Sequence, residues 1–170
     1  MEIKELIMMS CKRGDTGLTD EEFISYIRMG LDGKIKDEKI MERIVPVATA
    51  GVRKYGFLGY FLGQHNYNLE KSKTNNEEMN EELEKCKARL GDIVGKSDSK
   101  YVVRTTDGRE LVTDSEVYDG IKMVEDRDLT AGSHVLLHTD KIRMVLNDER
   151  YKEAVDVSKN YPREKDMSEI

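Results

Sequence analysis

Leu62–Leu90 reads LGQHNYNLEKSKTNNEEMNEELEKCKARL, and in it Leu62, Leu69, Asn76, Leu83 and Leu90 recur every seven residues. His65, Ser72, Met79 and Cys86 follow the first four of these three positions later. This is the a/d spacing of a coiled coil, with Glu, Lys and Asn at most other positions from 70 to 89. A single narrow apolar stripe is too small to bury itself in a globular core, so the spacing predicts one helix over 62–90 that requires a partner helix. A buried amide is costly unless it meets another amide, so Asn76 at a core position predicts parallel, in-register pairing. Leu69, Asn76, Met79, Leu83, Cys86 and Leu90 are the expected association residues. A solvated single helix with an accidental heptad is the alternative.

Outward from this helix the chain changes character on both sides. Residues 1–61 read as a helical module: Ile3, Leu6 and Ile7 share a helical face, Thr19 and Glu22 form a capping box before Phe23, Ile24, Tyr26 and Ile27, and Asp37 caps a third helix that Pro46 ends or kinks. Tyr55–Leu62 is apolar, aromatic and glycine-rich, and is expected to pack against those helices. Residues 92–148 carry short strand-like runs at Ile93-Val94, Tyr101–Arg104, Glu110–Val112, Lys122–Val124, Val135–Leu137 and Ile142–Leu146. Asp107-Gly108, Asp119-Gly120 and Ala131-Gly132 supply turns between them. Five or six short strands in this span predict a small β-barrel. The polar tail, 149–170, has one short helix around Tyr151, Ala154 and Val155, with disorder expected from Asn160. The fold class is therefore α+β: a helical module, a coiled-coil helix and an OB-like barrel.

Charged residues make up 36% of the 170 residues and hydrophobic ones 38%, which is little apolar material for one compact core and suits an exposed helix with polar tails. The net charge of −6 argues against wrapping nucleic acid. Two cysteines, Cys11 and Cys86, without CxxC spacing predict a reduced chain without structural disulfides. The opening MEIKELIMMSCKRGD lacks the pattern of a signal peptide, so the expected location is cytoplasmic. Ile44–Gly63 matches a membrane span in length, but Arg53 and Lys54 at its centre favour buried structure outside a bilayer. A membrane-surface or host-interaction role for this segment remains an alternative.

Chemical motifs are sparse. Gly91-Asp-Ile-Val-Gly95-Lys96-Ser97 approximates a phosphate loop, yet it has one residue too few between the glycines and follows a helix instead of a strand. Asp32-Gly33-Lys34-Ile35 resembles the middle of a calcium loop whose other ligand positions hold Arg28, Gly30 and Lys39. His134 and His138 share a strand face without a third ligand, so neither metal nor other cofactor is expected. No nucleophile is spaced to meet a base, and the chain is expected not to be an enzyme. A single-stranded nucleic-acid-binding barrel is the alternative, with Lys100, Tyr101, Arg104 and Arg109 lining its groove.

A coiled-coil helix running directly into a small barrel resembles the amino-terminal region of proteasomal AAA ATPases of the proteasome-activating nucleotidase type. Asp128–Leu137, DLTAGSHVLL, is similar to that family's "Leu-x-x-Gly-x-x-Val-x-Leu" turn and strand. Tyr101–Val112, YVVRTTDGRELV, occupies the place of its hairpin, and Ile142–Leu146 that of its closing strand. The resemblance spans Leu62–Leu146 and does not include the ATPase module. The family's proline at the junction is absent from Leu90-Gly91-Asp92-Ile93, so the resemblance does not extend to that family's asymmetric pairing of helices. It implies a homo-oligomeric scaffold or adaptor, a parallel dimer or higher ring, with a protein client or an AAA ATPase as partner and a link to protein quality control.

Overall fold

Tyr101, Val103 and Thr105 alternate with Val102 and Arg104, and this period of two sends the first set inward and the second outward. The computed structural model, which describes residues 46–115, 117–118, 121–122 and 126–160, places that segment in strand β2, Lys100–Thr105. Its neighbours are β1 (Arg89–Ser97) and β3 (Glu110–Thr113). With β6 (His134–His138) and β7 (Lys141–Leu146) they form an antiparallel sheet of order β3-β2-β1-β6-β7. Two short strands, β4 (Val117–Tyr118) and β5 (Ile121–Lys122), pair separately. The β2–β3 hairpin turns at Asp107-Gly108, where Gly108 has φ +87°, a left-handed conformation that favours glycine.

One face of the sheet encloses a core of Ile93, Tyr101, Val103, Leu129, Val135, Leu137 and Ile142, with Leu111 packed against it. The far ends of the sheet approach each other. Ser115 bridges Ile142, the Ile142 N–H donates to the Asp114 carbonyl at 3.2 Å, and the Thr113 hydroxyl donates to the Asp140 carbonyl. On the opposite face Leu90 pairs with Leu136, and both are almost fully buried. That face carries the helical layer: α1 (Pro46–Leu58), a π-helical segment (Gly59–His65), α2 (Asn66–Lys71), α3 (Glu77–Cys86) and α4 (Asp148–Asn160). Phe57, Leu58, Phe61, Leu62 and Ala154 are among its buried apolar side chains, and α4 packs on the π-helical segment, β6 and β7. Gly56, at φ 75° and ψ 168°, kinks α1.

Two expectations change. Leu62–Leu90 is not one helix: it comprises the end of the π-helical segment, α2, a turn, α3 and the first residues of β1. The polar run Ser72–Asn76 satisfies its backbone locally instead of continuing the helix. Asn76 caps α3 by accepting the Met79 N–H at 3.0 Å, and Asn80 exchanges bonds of 2.9 and 2.7 Å with Thr74. Asn76 is thus an exposed cap and not a buried heptad amide, and Leu90 belongs to the sheet. Pro46 is the first residue of α1, a position that tolerates its missing N–H, and the third helix expected before it lies outside the described residues. The tail helix is longer than expected, with thirteen residues from Asp148 to Asn160.

Residues 1–45, including Cys11, the capping box at Thr19 and Glu22 and the segment Asp32–Ile35, lie outside the described residues, as do Asp119-Gly120, Met123-Val124 and the chain after Asn160. Among the described residues no helix is long and apolar enough to cross a membrane.

Gly91 allows β1 and β2 to pack closely, because a Cβ there would lie 2.7 Å from Val103 Cγ1 and 2.9 Å from the Arg104 carbonyl oxygen. Gly91→Ala should cost about 1–3 kcal/mol through overpacking. Urea denaturation checks this, and an unchanged midpoint would contradict the close approach.

Candidate functional site

The side chains that join sheet and helices meet where α3 runs into β1. Three residues after α3 ends at Cys86, the chain becomes strand at Arg89, whose side chain is 5% exposed. It donates to the Glu84 carbonyl at 2.6 Å, to Glu84 Oε2 at 2.9 Å and to Asp107 Oδ2 at 3.3 Å. Its Nη1 also lies 3.5 Å from Asp140 Oδ1. One planar cation therefore ties α3, the β2–β3 turn and the β6–β7 turn together, a use that suits the fixed fork of Arg. Lys73 and Lys87 reach Glu84 at 2.6 and 2.7 Å, and both also pair with Glu70 on α2. Burial would raise the Glu84 carboxyl, but hydrogen bonds from Lys73 and Lys87 outweigh it and pull the group from 4.5 down to about 2. For Asp107 burial again opposes the net downward shift, which the Thr105 hydroxyl and Arg89 produce.

A second junction is built on amides and imidazoles. Asn66 forms a reciprocal pair with the backbone of Ala88: its Nδ2 donates to the carbonyl at 2.8 Å, and its Oδ1 accepts the N–H at 2.9 Å. Beside it, His65 Nε2 lies 3.0 Å from the Cys86 carbonyl and 3.2 Å from His138 Nε2. Phe61 sits 5.8 Å from both rings. Further along β6, His134 stacks on Tyr151 of α4 at 3.9 Å and 5°. His134 Nδ1 meets Asp92 at 2.5 Å and its Nε2 faces Asp148 at 3.5 Å. Burial, followed by the charge of Asp92, raises the Tyr151 phenol above its ordinary value.

Between α2, the start of β1, the β2–β3 turn and α4 runs an open groove of about 780 Å³, walled by Tyr67, Glu70, Lys87, Arg89, Tyr151 and Lys159. Its Glu70 and Lys87 side chains pair with each other.

The residues expected to act as a group are dispersed. Leu69 and Leu83 are half-buried in the α2–α3 hairpin, Cys86 is half-buried at its end, and Met79 is 52% exposed. Tyr101 is 3% exposed within the sheet core, with the Lys96 ammonium 5.1 Å from its ring centre. It presents no face to a nucleic-acid base, which corrects its place in the expected groove. Arg104 pairs with Glu110 at 3.4 Å, whereas Lys100 and Arg109 lie apart on the surface. The phosphate-loop-like Gly91–Ser97 lies wholly within β1, paired with β2 and β6, and opens no helix. His134 and His138 do share a face of β6, but each meets a different element. Among the described residues no set of three or more His, Cys, Asp or Glu is placed to hold a metal.

Sequence reasoning missed the Arg89 junction and the His65–His138 contact. His65 and His138 are 73 residues apart, and no local pattern links them. Arg89 carried a weak signal, as a lone cation at the start of a strand whose alternation points it inward. Comparison with known protein families gives no match, and comparison with curated proteins gives none either.

Arg89→Ala should lower stability by about 1–3 kcal/mol, because it removes the charged hydrogen bonds that a buried side chain makes to Glu84 and Asp107. Arg89→Lys should retain only part of the junction, since an ammonium lacks the guanidinium fork. Glu84 stabilises the fold fully above its unfolded value of 4.5, and that contribution is lost as the pH falls toward about 2. Glu84→Gln should therefore flatten the acid limb of a urea-midpoint profile over this window. A limb parallel to that of the wild type would refute the pairing.

Proposed function

We propose that the chain is a non-enzymatic, oligomeric interaction scaffold whose sheet is a small OB-like barrel presenting a protein-docking face. The observation that carries this reading is the valine surface on β1–β3. Val102 and Val112 stand directly opposite each other, on the face turned away from Tyr101 and Val103. Val112 is 59% exposed, and Val94, beside the β1 bulge, is 41% exposed. The helical layer lies over the β1–β6–β7 part of the outer surface, so these valines face solvent. Clustered exposed β-branched side chains on a sheet fit a contact surface better than a solvated one. The Arg104–Glu110 pair flanks them and would orient a partner.

The approach of Thr113–Ser115 to Asp140–Ile142 supports the barrel reading. The resemblance to proteasomal AAA ATPases rests on the sequence of the hairpin at Asp107-Gly108 and of the turn leading into β6. On that basis the partner would be an AAA ATPase or a client protein in a cytoplasmic quality-control pathway. Self-association would run through the folded surface and not through a heptad seam.

Light scattering on the full chain tests the assembly. The wild type should show a mass that is a multiple of the chain mass at high micromolar concentration, and Val112→Asp should weaken association by about tenfold or more, the scale of a contact hot spot. A wild type that stays monomeric, or a variant that assembles equally well, would overturn the reading.

A further inference from the structure

The period of two puts Lys100, Val102 and Arg104 on the outer face of β2, and Glu110 and Val112 on that of β3. Val102 stands opposite Val112, and Arg104 opposite Glu110. The hairpin face therefore carries an apolar row next to a row with one cation and one anion side by side. Arg104 and Glu110 meet at 3.4 Å, but their side chains are 65% and 59% exposed, so the pair contributes little within the chain while water surrounds it.

This pattern is its own complement. When two copies pack the same sheet face together, the two-fold axis lies in the plane of contact. An axis along the strands, midway between β2 and β3, lays β2 of each copy over β3 of the other. Arg104 then lies over the second copy's Glu110, and Val102 over its Val112, and both contacts occur twice. Facing sheets lie about 10 Å apart, a gap that an arginine and a glutamate span together. Other axes fail on charge or on space. One across the strands through the valine row would bring Arg104 over Lys100, and one centred on β2 would bring Arg104 over Arg104. An axis between β1 and β2 would carry the second copy's β3 onto β6, where α4 already lies with Tyr151 stacked on His134.

Resting on the reading of the valine surface as a protein-docking face, we infer that its occupant is a second copy of this chain, in a two-fold dimer whose β2–β3 hairpins stack face to face and pair Arg104 of each copy with Glu110 of the other. β2 and β3 are six and four residues long. The stacked area is then roughly 400 Å² per copy, which places the contact among weak and transient ones. The valine row supplies its apolar centre, and four charges of alternating sign fix its register.

Sedimentation velocity on the full chain tests the pairing. Arg104→Glu and Glu110→Arg should each weaken dimerisation by about tenfold or more, because each sets like charges against each other across the contact. An equimolar mixture of the two should recover the wild-type affinity. Each chain in the mixture still sets like charges together in its own hairpin, so only contacts between copies account for the recovery. The mixed dimer also has the total charge of the wild-type dimer, which removes a long-range cause. If either variant does not fold, isotope-filtered methyl contacts between labelled and unlabelled wild-type copies provide the second measurement, in which Val102 of one copy should meet Val112 of the other. A wild-type dimer with no recovery in the mixture, or without the Val102–Val112 contact, would overturn the two-fold stacking and leave the docking face standing if Val112→Asp still weakens association. A wild type that stays monomeric would overturn both.

Discussion

Arg89 is the constraint from which the rest of the arrangement follows. An arginine side chain that is 5% exposed must have its charge and donors matched locally, because an unpaired buried cation costs several kcal/mol. The matching groups come from three places: the last turn of α3, the hairpin turn at Asp107 and the β6–β7 turn at Asp140. Seating the guanidinium therefore sets the angle at which α3 leaves the sheet and holds two turns at one end of it. The Lys73 and Lys87 contacts to Glu84 extend the same junction into α2, so the hairpin is closed by charge where its apolar contacts are few. This gives a physical reason for a chain as rich in charged as in hydrophobic residues to build a layered fold.

The sheet was largely legible because strand signals are local. Alternation in Tyr101–Thr105, the Asp107-Gly108 turn and the runs Val135–Leu137 and Ile142–Leu146 each give a strand or a turn without reference to distant residues. The heptad was misleading for an equally physical reason. Leucines seven apart suit a long helix, but they also suit a helix, a capped turn, a second helix and a strand. Seven residues is nearly two helical turns, and the last leucine then lies in β1. Leu69 and Leu83 remain half-buried, but within a hairpin of their own chain. The run Ser-Lys-Thr-Asn-Asn held the deciding information, because each small polar side chain there can replace a helical backbone bond.

The junction itself was not legible, since the contacts that tie it to other elements are long-range. Asn66 meets Ala88 across 22 residues, Arg89 meets Asp107 across 18, and His65 meets His138 across 73. Such pairings depend on sheet register and on how the helices lie over β6, and no single-sequence periodicity reports either. Tyr101 illustrates the same limit within the sheet. Its flanking lysines suggest an exposed aromatic in a basic groove, but strand parity puts the ring in the core, with the Lys96 ammonium 5.1 Å from its centre.

β6 then divides its histidines by environment. His134 and His138 leave the same face of one strand, yet His134 lies between two carboxylates and against Tyr151, whereas His138 lies among aromatic rings beside another imidazole and a guanidinium. The first is held to α4 by a stacked phenol ring, with Asp92 and Asp148 on its two nitrogens, and the second meets the π-helical segment through an imidazole contact beside Phe61. One strand therefore fixes the helical layer at two points by different means, an open polar contact at its start and a fully buried one at its end. Because β6 lies between β1 and β7, both points are carried by a strand that is paired on each side, and the helices over it take their position from its register.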